Sequence, residues 1–414
     1  MAGSIPTPAP YIKAFEQLGF GMFVHYGLYS QLKGGEWVFH HAEDMSMAEY
    51  EKLFDTFNPG SMAAIVNTAK TAGCKYICLT TRHHDGFSLY DTRGLSDYDA
   101  PHSPCGRDLI QEFVDECRKA DIVPFFYHTT LDWRHPDFEN NFEAYLDYLY
   151  KSVEVLCTNY GKIGGMWFDG NWSKPDADWQ EDKLYGMIRK NQPEAMIVNN
   201  TGLSCRGKLG ASEIDAVTFE RGSPEPMDRT GHKKYVAGEM CQTLCDHWGI
   251  ADDINFKPVK QLIEEICECR KAGANMLLNI GPAADASIPK IQDGIMECIG
   301  YWMSLYGTAI YNGRPYIAYK DRRDFILKDV NDPKTYYLFC FDMNMTGSVD
   351  VHLGNQDEKD NVFNRFTEEV AAVHWMDNNE SLSFQQQGDQ LTIDLTYFHY
   401  GHSHCVRVAK ITTK

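Results

Sequence analysis

Eight short apolar segments recur along the first three-quarters of this 414-residue chain, and they constrain its fold more than any other feature. They cover residues 20–25, 76–81, 123–128, 166–169, 196–199, 216–220, 240–244 and 276–280. Near-continuous apolar runs of this length are typical of strands that are buried on both faces of a sheet. Amphipathic helical patterns lie between most of them, most clearly over 109–117, 142–153 and 262–267.

A strand and a helix in alternation, repeated eight times, predict an α/β fold of the (β/α)8 TIM-barrel type. No Gly-x-Gly-x-x-Gly follows the first segment, which disfavours a doubly wound open sheet. The stretch between Asn199 and Ala216 is rich in glycine and nearly too short for a helix, so we expect an irregular barrel.

The pattern changes after residue 312, where shorter β-type segments are separated by Asn, Asp and Gly. These segments cover 325–327, 336–341, 349–353, 370–375, 391–395 and 405–408. They predict a C-terminal antiparallel β-sandwich. The chain is also long for a single core, so we expect a catalytic barrel over 1–312 and a sandwich over 313–414.

The formal net charge of −19 argues against nucleic acid and acidic membrane surfaces as partners, and favours a neutral or cationic small substrate. The 13 cysteines include no CxxC pair, which predicts reduced thiols and a cytoplasmic protein. The first residues have neither the basic start nor the apolar core of a signal peptide, although a chain trimmed of its leader would look the same.

Polar groups stand where the apolar segments end. Seven of the eight segments end in residues that bind ligands or transfer protons, namely His25, His83 to Asp85, His128, Asp169, Asn199 to Asn200, Glu220 and Asn279. Helix caps alone would supply Ser, Thr, Asp and Asn rather than repeated histidines and carboxylates. The pattern therefore predicts one polar pocket at the C-terminal mouth of the barrel.

Two of these carboxylates suit the hydrolysis of a glycosidic bond. Asp169 and Glu220 lie two barrel strands apart and could face one another across the mouth, and glycoside hydrolysis needs such a pair. Glu36 and Trp37 add a further carboxylate and an indole that could stack on a sugar. A zinc hydrolase using His25, His83 and His84 stays an alternative, although neighbouring residues on a strand point to opposite faces.

Several motifs in order resemble the α-L-fucosidases of glycoside hydrolase family 29. They lie at residues 20–27, 36–37, 80–87, 166–170, 239–243, 247–249 and 275–282. The resemblance implies a barrel followed by a β-sandwich, and a retaining exo-acting enzyme. Such an enzyme releases terminal α-L-fucose from oligosaccharides or glycoconjugates by double displacement, without a metal or an organic cofactor.

The resemblance also implies roles for individual residues. Asp169 matches the nucleophile, and Trp248 is placed to form an apolar wall for the fucose methyl group. The residues that match substrate-binding positions are His25, Glu36, Trp37, His83, His84, Tyr127 and Trp167. The acid/base position varies in this family; Glu220 is our choice. Glu239 is the alternative, which we expect to be structural because it stands before its strand.

Other functions stay open at this point. A carbohydrate-binding protein with little turnover could use the same scaffold. An α-L-galactosidase-like specificity would need only that the wall near Trp248 admits a hydroxyl group at C6. Tyr26 and Arg82 replace the Trp and Lys that are usual in the family, and Asn200 is not followed by the Arg often found there. The fucosyl linkage, the aglycone and the oligomeric state are not determined by the sequence.

Overall fold

The computed structural model describes residues 5–42, 45–200, 211–227, 229–230, 233–345 and 361–414. Eight parallel strands form a closed barrel in chain order, because β1 pairs with both β2 and β8. The strands are β1 (Phe20–Val24), β2 (Tyr76–Arg82), β3 (Val123–Thr129), β4 (Gly165–Asp169), β5 (Met196–Asn200), β6 (Ala216–Glu220), β7 (Ala237–Thr243) and β8 (Ala274–Ile280). The predicted barrel is confirmed, and every predicted segment overlaps its strand.

Ten α-helices are described. They are α1 (Pro10–Leu18), α2 (Val38–His41), α3 (Met47–Tyr50), α4 (Ala63–Thr71), α5 (Leu109–Lys119), α6 (Asp137–Asn140), α7 (Phe142–Asn159), α8 (Glu181–Asn191), α9 (Val259–Ala272) and α10 (Lys290–Asn312). Helix α5 illustrates their sequence signals: Asp108 accepts hydrogen bonds from two backbone N–H groups of its first turn, and its apolar face is buried.

The barrel is irregular where the sequence predicted it. The described residues between β5 and β6, and between β6 and β7, contain no helix. The register of β5 and β6 contains a single pair, Val198 with Ala216. Adjacent strands elsewhere in the barrel pair over at least four residues, as β4 and β5 do over five. The sixth strand is therefore held mainly by β7, with which it pairs from Ala216 to Glu220.

The barrel interior is filled by large side chains, and α1 covers its lower end. Phe15 of α1 packs against Tyr76 and Phe125, with ring centroids 5.7 and 5.9 Å apart. A Cβ atom on Gly21 would lie 2.4 Å from the Tyr76 ring, so this position has no room for a side chain. Tyr127 and Trp167 form a second aromatic layer, which lies between these rings and the residues at the C-terminal ends of the strands.

The C-terminal residues form two antiparallel sheets around one apolar core, so the predicted β-sandwich is confirmed. The five-stranded sheet has the order β13 (Val370–Trp375), β16 (Arg407–Thr413), β11 (Thr335–Cys340), β10 (Phe325–Asp329), β9 (Gly313–Ala318). The three-stranded sheet has the order β12 (Val362–Phe363), β15 (Gln390–Ile393), β14 (Phe384–Gln387). The predicted segment 349–353 lies outside the described residues, and β9, β12 and β14 were not predicted.

Backbone contacts divide the chain into two compact units, residues 1–257 with 274–297, and residues 258–273 with 298–414. The second unit thus includes α9 and most of α10 together with the two sheets. The boundary between 312 and 313 that the sequence suggested stays a prediction. None of the described helices combines the length and the apolar character that a membrane span requires.

Candidate active site

A cavity of about 450 Å³ opens at the C-terminal ends of the barrel strands. It is lined by Phe23, His25, Glu36, Trp37, His83, His84, Tyr127, Trp167, Asp169, Trp172, Asn200, Glu220, Cys241 and Trp248. Every site residue proposed from the sequence is in this set except Glu239. The barrel brings the residues together because parallel strands present their carboxyl ends at one rim.

Asp169 is the last residue of β4, and both of its carboxylate oxygens are hydrogen-bonded. Tyr127 donates its hydroxyl to Oδ2 over 3.1 Å, and Trp172 donates its indole N–H to Oδ1 over 2.9 Å. His84 Nε2 lies 3.5 Å from Oδ2. Burial by itself would raise the pKa of Asp169, but the hydrogen bond and charge of His84, with the donors Trp172 and Tyr127, outweigh it and hold this pKa below its ordinary value.

Glu220 ends β6 and shares a hydrogen-bond donor with Asp169. The side-chain amide of Asn200 donates to Glu220 Oε2 over 2.7 Å and to Asp169 Oδ1 over 3.4 Å, and their sum, 6.1 Å, is the greatest separation these two carboxylate oxygens can have. The ionised Asp169 carboxylate can only accept, so the amide nitrogen of Asn200 faces it, and Oδ1 accepts a hydrogen bond from the Thr218 hydroxyl over 3.0 Å.

The adjacent histidines His83 and His84 both reach the cavity, because β2 ends at Arg82 and the chain turns there. The His84 ring is fixed by Thr129, whose hydroxyl lies 2.6 Å from Nδ1. His83 stacks on Tyr127, and burial lowers its pKa well below the ordinary value. His83 Nδ1 is buried without a hydrogen-bond partner in the described part of the chain.

Glu36 joins the first βα loop to the loop after β7. Its Oε2 accepts hydrogen bonds from the backbone N–H groups of Trp248 at 3.0 Å and Gly249 at 2.8 Å. The Trp248 ring lies 5.9 Å from Phe23 and 5.2 Å from His25. Glu36 therefore contributes a carboxylate to the cavity and also holds its aromatic wall in place.

Glu239 differs from our expectation in its place on the strand. It is the third residue of β7, which begins at Ala237, and does not stand before the strand. Its side chain lies inside the barrel, accepting from Tyr76 Oη at 2.6 Å and from Trp167 Nε1 at 2.9 Å. Burial raises its pKa to about 7. Glu239 does not line the cavity; it supports Trp167, which does.

Sequence reasoning assigned no role to Trp172, Phe23 or Cys241, all of which line the cavity, whereas Asn200 was predicted there as a polar strand-end residue. Trp172 could have been found, since an indole three residues after a strand-end carboxylate falls within the first turn beyond the strand. Phe23 and Cys241 looked like ordinary core residues because they lie within apolar strands. Among the described residues, no group of three or more His, Cys, Asp and Glu side chains is arranged to hold a metal ion.

Comparison with known proteins identifies the family. The family model described as Alpha-L-fucosidase matches residues 6–308. The chain belongs to the α-L-fucosidase family of glycoside hydrolases. The resemblance drawn from the motifs is therefore confirmed.

Curated relatives include the tissue alpha-L-fucosidases of Bos taurus and Homo sapiens. Each is 28% identical, over 76% of this chain and 70% or 71% of the relative.

Solved structures of family members have the same fold. Alpha-L-fucosidase isoenzyme 1 from Paenibacillus thiaminolyticus is 28% identical, with a TM-score of 0.80 over 98% of this chain and 99% of that one. A GH29 alpha-L-fucosidase from Bacteroides thetaiotaomicron, described as a trapped covalent intermediate with 2-fluoro-fucosyl fluoride, is 22% identical. Its TM-score is 0.81, over 99% of this chain and 98% of that one.

Proposed function

We propose that this protein is a retaining, exo-acting α-L-fucosidase that hydrolyses terminal α-L-fucosyl linkages of oligosaccharides or glycoconjugates. The observation that carries the proposal is the pairing of Asp169 and Glu220 through Asn200. Retaining glycosidases hold their two carboxyl groups about 5–5.5 Å apart, whereas inverting ones need about 6.5–9.5 Å to admit a water molecule. Asn200 keeps one oxygen of each carboxylate within 6.1 Å of the other, which is in keeping with the retaining arrangement.

In the first step, Asp169 attacks the anomeric carbon of the fucosyl group. Its low pKa keeps it ionised, as a nucleophile requires, and its hydrogen bonds orient it. Glu220 gives its proton to the glycosidic oxygen as that bond breaks, so the leaving group departs neutral. The products of this step are the free aglycone and a fucosyl ester of Asp169.

In the second step, the ionised Glu220 takes a proton from a water molecule that attacks the same carbon. The ester bond to Asp169 breaks and its carboxylate is restored. Two inversions give net retention of configuration, and Glu220 recovers the proton it lost in the first step.

The remaining cavity residues suit a small, polyhydroxylated ring. Neutral His25 and His83, the Glu36 carboxylate and the phenol of Tyr127 offer hydrogen bonds to hydroxyl groups, while Trp248 offers an apolar face to the methyl group of fucose. A cavity of about 450 Å³ accommodates a monosaccharide and the start of its aglycone, in keeping with exo action. The cytoplasmic location stays a proposal.

The test is hydrolysis of 4-nitrophenyl α-L-fucoside by the wild type, Asp169→Ala and Glu220→Ala, each with and without azide. We expect near-complete loss of activity in Asp169→Ala, and recovery with azide to give β-fucosyl azide, because the anion replaces the carboxylate. Glu220→Ala should be slowed mainly in the second step, since nitrophenol leaves with little acid assistance, and azide should give the α-product.

Other outcomes would redirect the proposal. Wild-type activity in Glu220→Ala would place the acid/base elsewhere, and Glu239→Ala would be tested next. A wild type that binds free L-fucose in calorimetry but releases no nitrophenol from any aryl fucoside would indicate a carbohydrate-binding protein. Faster hydrolysis of the α-L-galactoside than of the fucoside would assign the other sugar.

A further inference from the structure

Asn279, the sixth residue of β8, contacts two residues of the cavity without lining the cavity itself. Its Oδ1 lies 2.7 Å from His25 Nδ1, and its Nδ2 donates to the backbone carbonyl of Trp248 over 2.7 Å. The side chain is buried, with an exposed fraction of 2%. It therefore links the end of β1 to the loop that carries the aromatic wall.

The contact with Trp248 determines which way the Asn279 amide faces. A backbone carbonyl can only accept a hydrogen bond, so the amide nitrogen must be the atom that faces it. The amide oxygen then faces His25. Because this oxygen is also only an acceptor, the proton of the hydrogen bond must belong to His25 Nδ1.

The remaining question is whether His25 carries a second proton. Burial lowers its pKa to about 4, against the opposing effects of the Glu36 and Asp169 carboxylates and the Asn279 hydrogen bond. His84 adds to the lowering, and the rings of His83 and Tyr127 also face this imidazole, each 5.6 Å away. His25 is therefore neutral near pH 7, with a protonated Nδ1 and an unprotonated Nε2.

We propose that Asn279 is a positioning residue that fixes the tautomer of His25, so that His25 accepts a hydrogen bond from a hydroxyl group of the bound sugar through Nε2. The identity of that sugar as fucose rests on the proposed function. At His25 Nε2 the site therefore selects a hydrogen-bond donor on the ligand. A sugar in which that hydroxyl is replaced by fluorine or a methoxy group offers no donor and is bound as weakly as the deoxy sugar.

The tautomer can be read directly, without substrate. Two-bond 15N–1H correlation spectra of the full protein with labelled histidine distinguish a protonated from an unprotonated ring nitrogen, and comparison with His25→Asn assigns the signals. We expect protonated Nδ1 and unprotonated Nε2 for His25 at pH 7. Protonated Nε2 in the wild type would overturn the proposal, whatever the enzyme does with fucosides.

The Asn279→Asp variant tests the consequence for binding. A carboxylate beside Nδ1 stabilises the doubly protonated ring, in which Nε2 becomes a donor and can no longer accept from the sugar. When the pH is lowered from 8 to 5.5, the Kd of Asn279→Asp for free L-fucose, measured by calorimetry, should then rise about tenfold more than the Kd of the wild type.

Asn275→Asp is the matched control, because Asn275 is also buried on β8, and its amide donates to the Phe15 carbonyl at the lower end of the barrel. This control should keep the wild-type pH profile of fucose binding, even where it lowers stability. A wild-type profile in Asn279→Asp would contradict the proposal. Failure of the wild type to bind fucose at all would count against the proposed function instead, and the spectrum of His25 would still decide the tautomer.

Discussion

Trp172 donates its indole N–H to Asp169 Oδ1 over 2.9 Å although the residue is 38% exposed. It lies three residues beyond the carboxylate, in the turn that opens at Gly170. Its ring also lies 6.0 Å from Trp37 and 5.9 Å from His84. The Trp172 side chain therefore orients the proposed nucleophile and also presents an aromatic ring to the part of a substrate that extends beyond the cavity. A bound substrate that excludes water from this rim would strengthen the hydrogen bond.

Trp172→Phe keeps a ring and removes only the N–H donor. Because this donor helps to lower the pKa of Asp169, its loss should raise that pKa, and the carboxylate should become protonated at a higher pH. The acid limb of the kcat/KM profile should therefore move to higher pH, and activity on its plateau should fall several-fold. Trp179→Phe is the control, since its indole donates to Lys174 O outside the cavity. An acid limb that does not move would show that this bond has no role in ionising Asp169.

Asn200→Asp replaces the shared donor by a third carboxylate of nearly the same shape. The new charge would lie beside Asp169 and Glu220, raise both of their pKa values and repel them, so kcat/KM should fall by roughly 100-fold. The matched control is Asn199→Asp, because Asn199 bonds Glu181 and Tyr185 instead and does not line the cavity. Equal losses of activity per folded molecule in the two variants would contradict the assigned role of Asn200.

Gly170→Ala should destabilise the protein and misplace Asp169. Gly170 has φ +118°, and an added Cβ would lie 2.6 Å from the backbone nitrogen of Leu131. Unfolding in denaturant should show a loss of about 1–3 kcal/mol, with reduced activity in the remaining folded protein. Gly186→Ala provides the opposite case, since this exposed glycine of α8 has nothing within 4 Å of an added Cβ. It should gain about 0.5–1 kcal/mol.

Glu239→Gln should change how stability depends on pH. The folded-state pKa of Glu239 is raised to about 7 by burial, while the unfolded chain releases the same proton near the ordinary value of 4.5. The wild type therefore loses stability as the pH rises from about 4.5 to about 7, and the loss is constant above that. Gln does not titrate, so the unfolding free energy of the variant relative to wild type should increase over this interval, by on the order of 3 kcal/mol.

The measurement for this variant is the free energy of unfolding in urea at pH 5, 6, 7 and 8. Glu297→Gln, at an exposed position of α10, is the control and should follow the wild type at every pH. A difference between Glu239→Gln and wild type that is the same at pH 5 and pH 8 would contradict the buried, protonated carboxyl inferred here. Activity should change little at neutral pH if Gln keeps the hydrogen bond to Trp167.

Much of the fold followed from short-range patterns. The eight apolar segments predicted the strands because each barrel strand is buried on both faces, so its whole length must be apolar. Where the interior is polar, the pattern failed: β7 begins at Ala237, three residues before the prediction, because Gly238 and Glu239 break the apolar run. The C-terminal strands β9 and β14 were missed because their burial is partial and irregular, and β12 was missed because it has only two residues.

The sequence by itself determined the strand ends, and with them the residue types available to the site, since side chains at the carboxyl ends of parallel strands must share one rim. Only the tertiary structure decided which of these atoms touch. That Asn200 lies between Asp169 and Glu220, that Glu239 supports Trp167 from below, and that Asn279 faces His25 depend on the register and closure of the barrel. Those distances come from pairing among residues far apart in the chain, and a local sequence pattern contains no information about them.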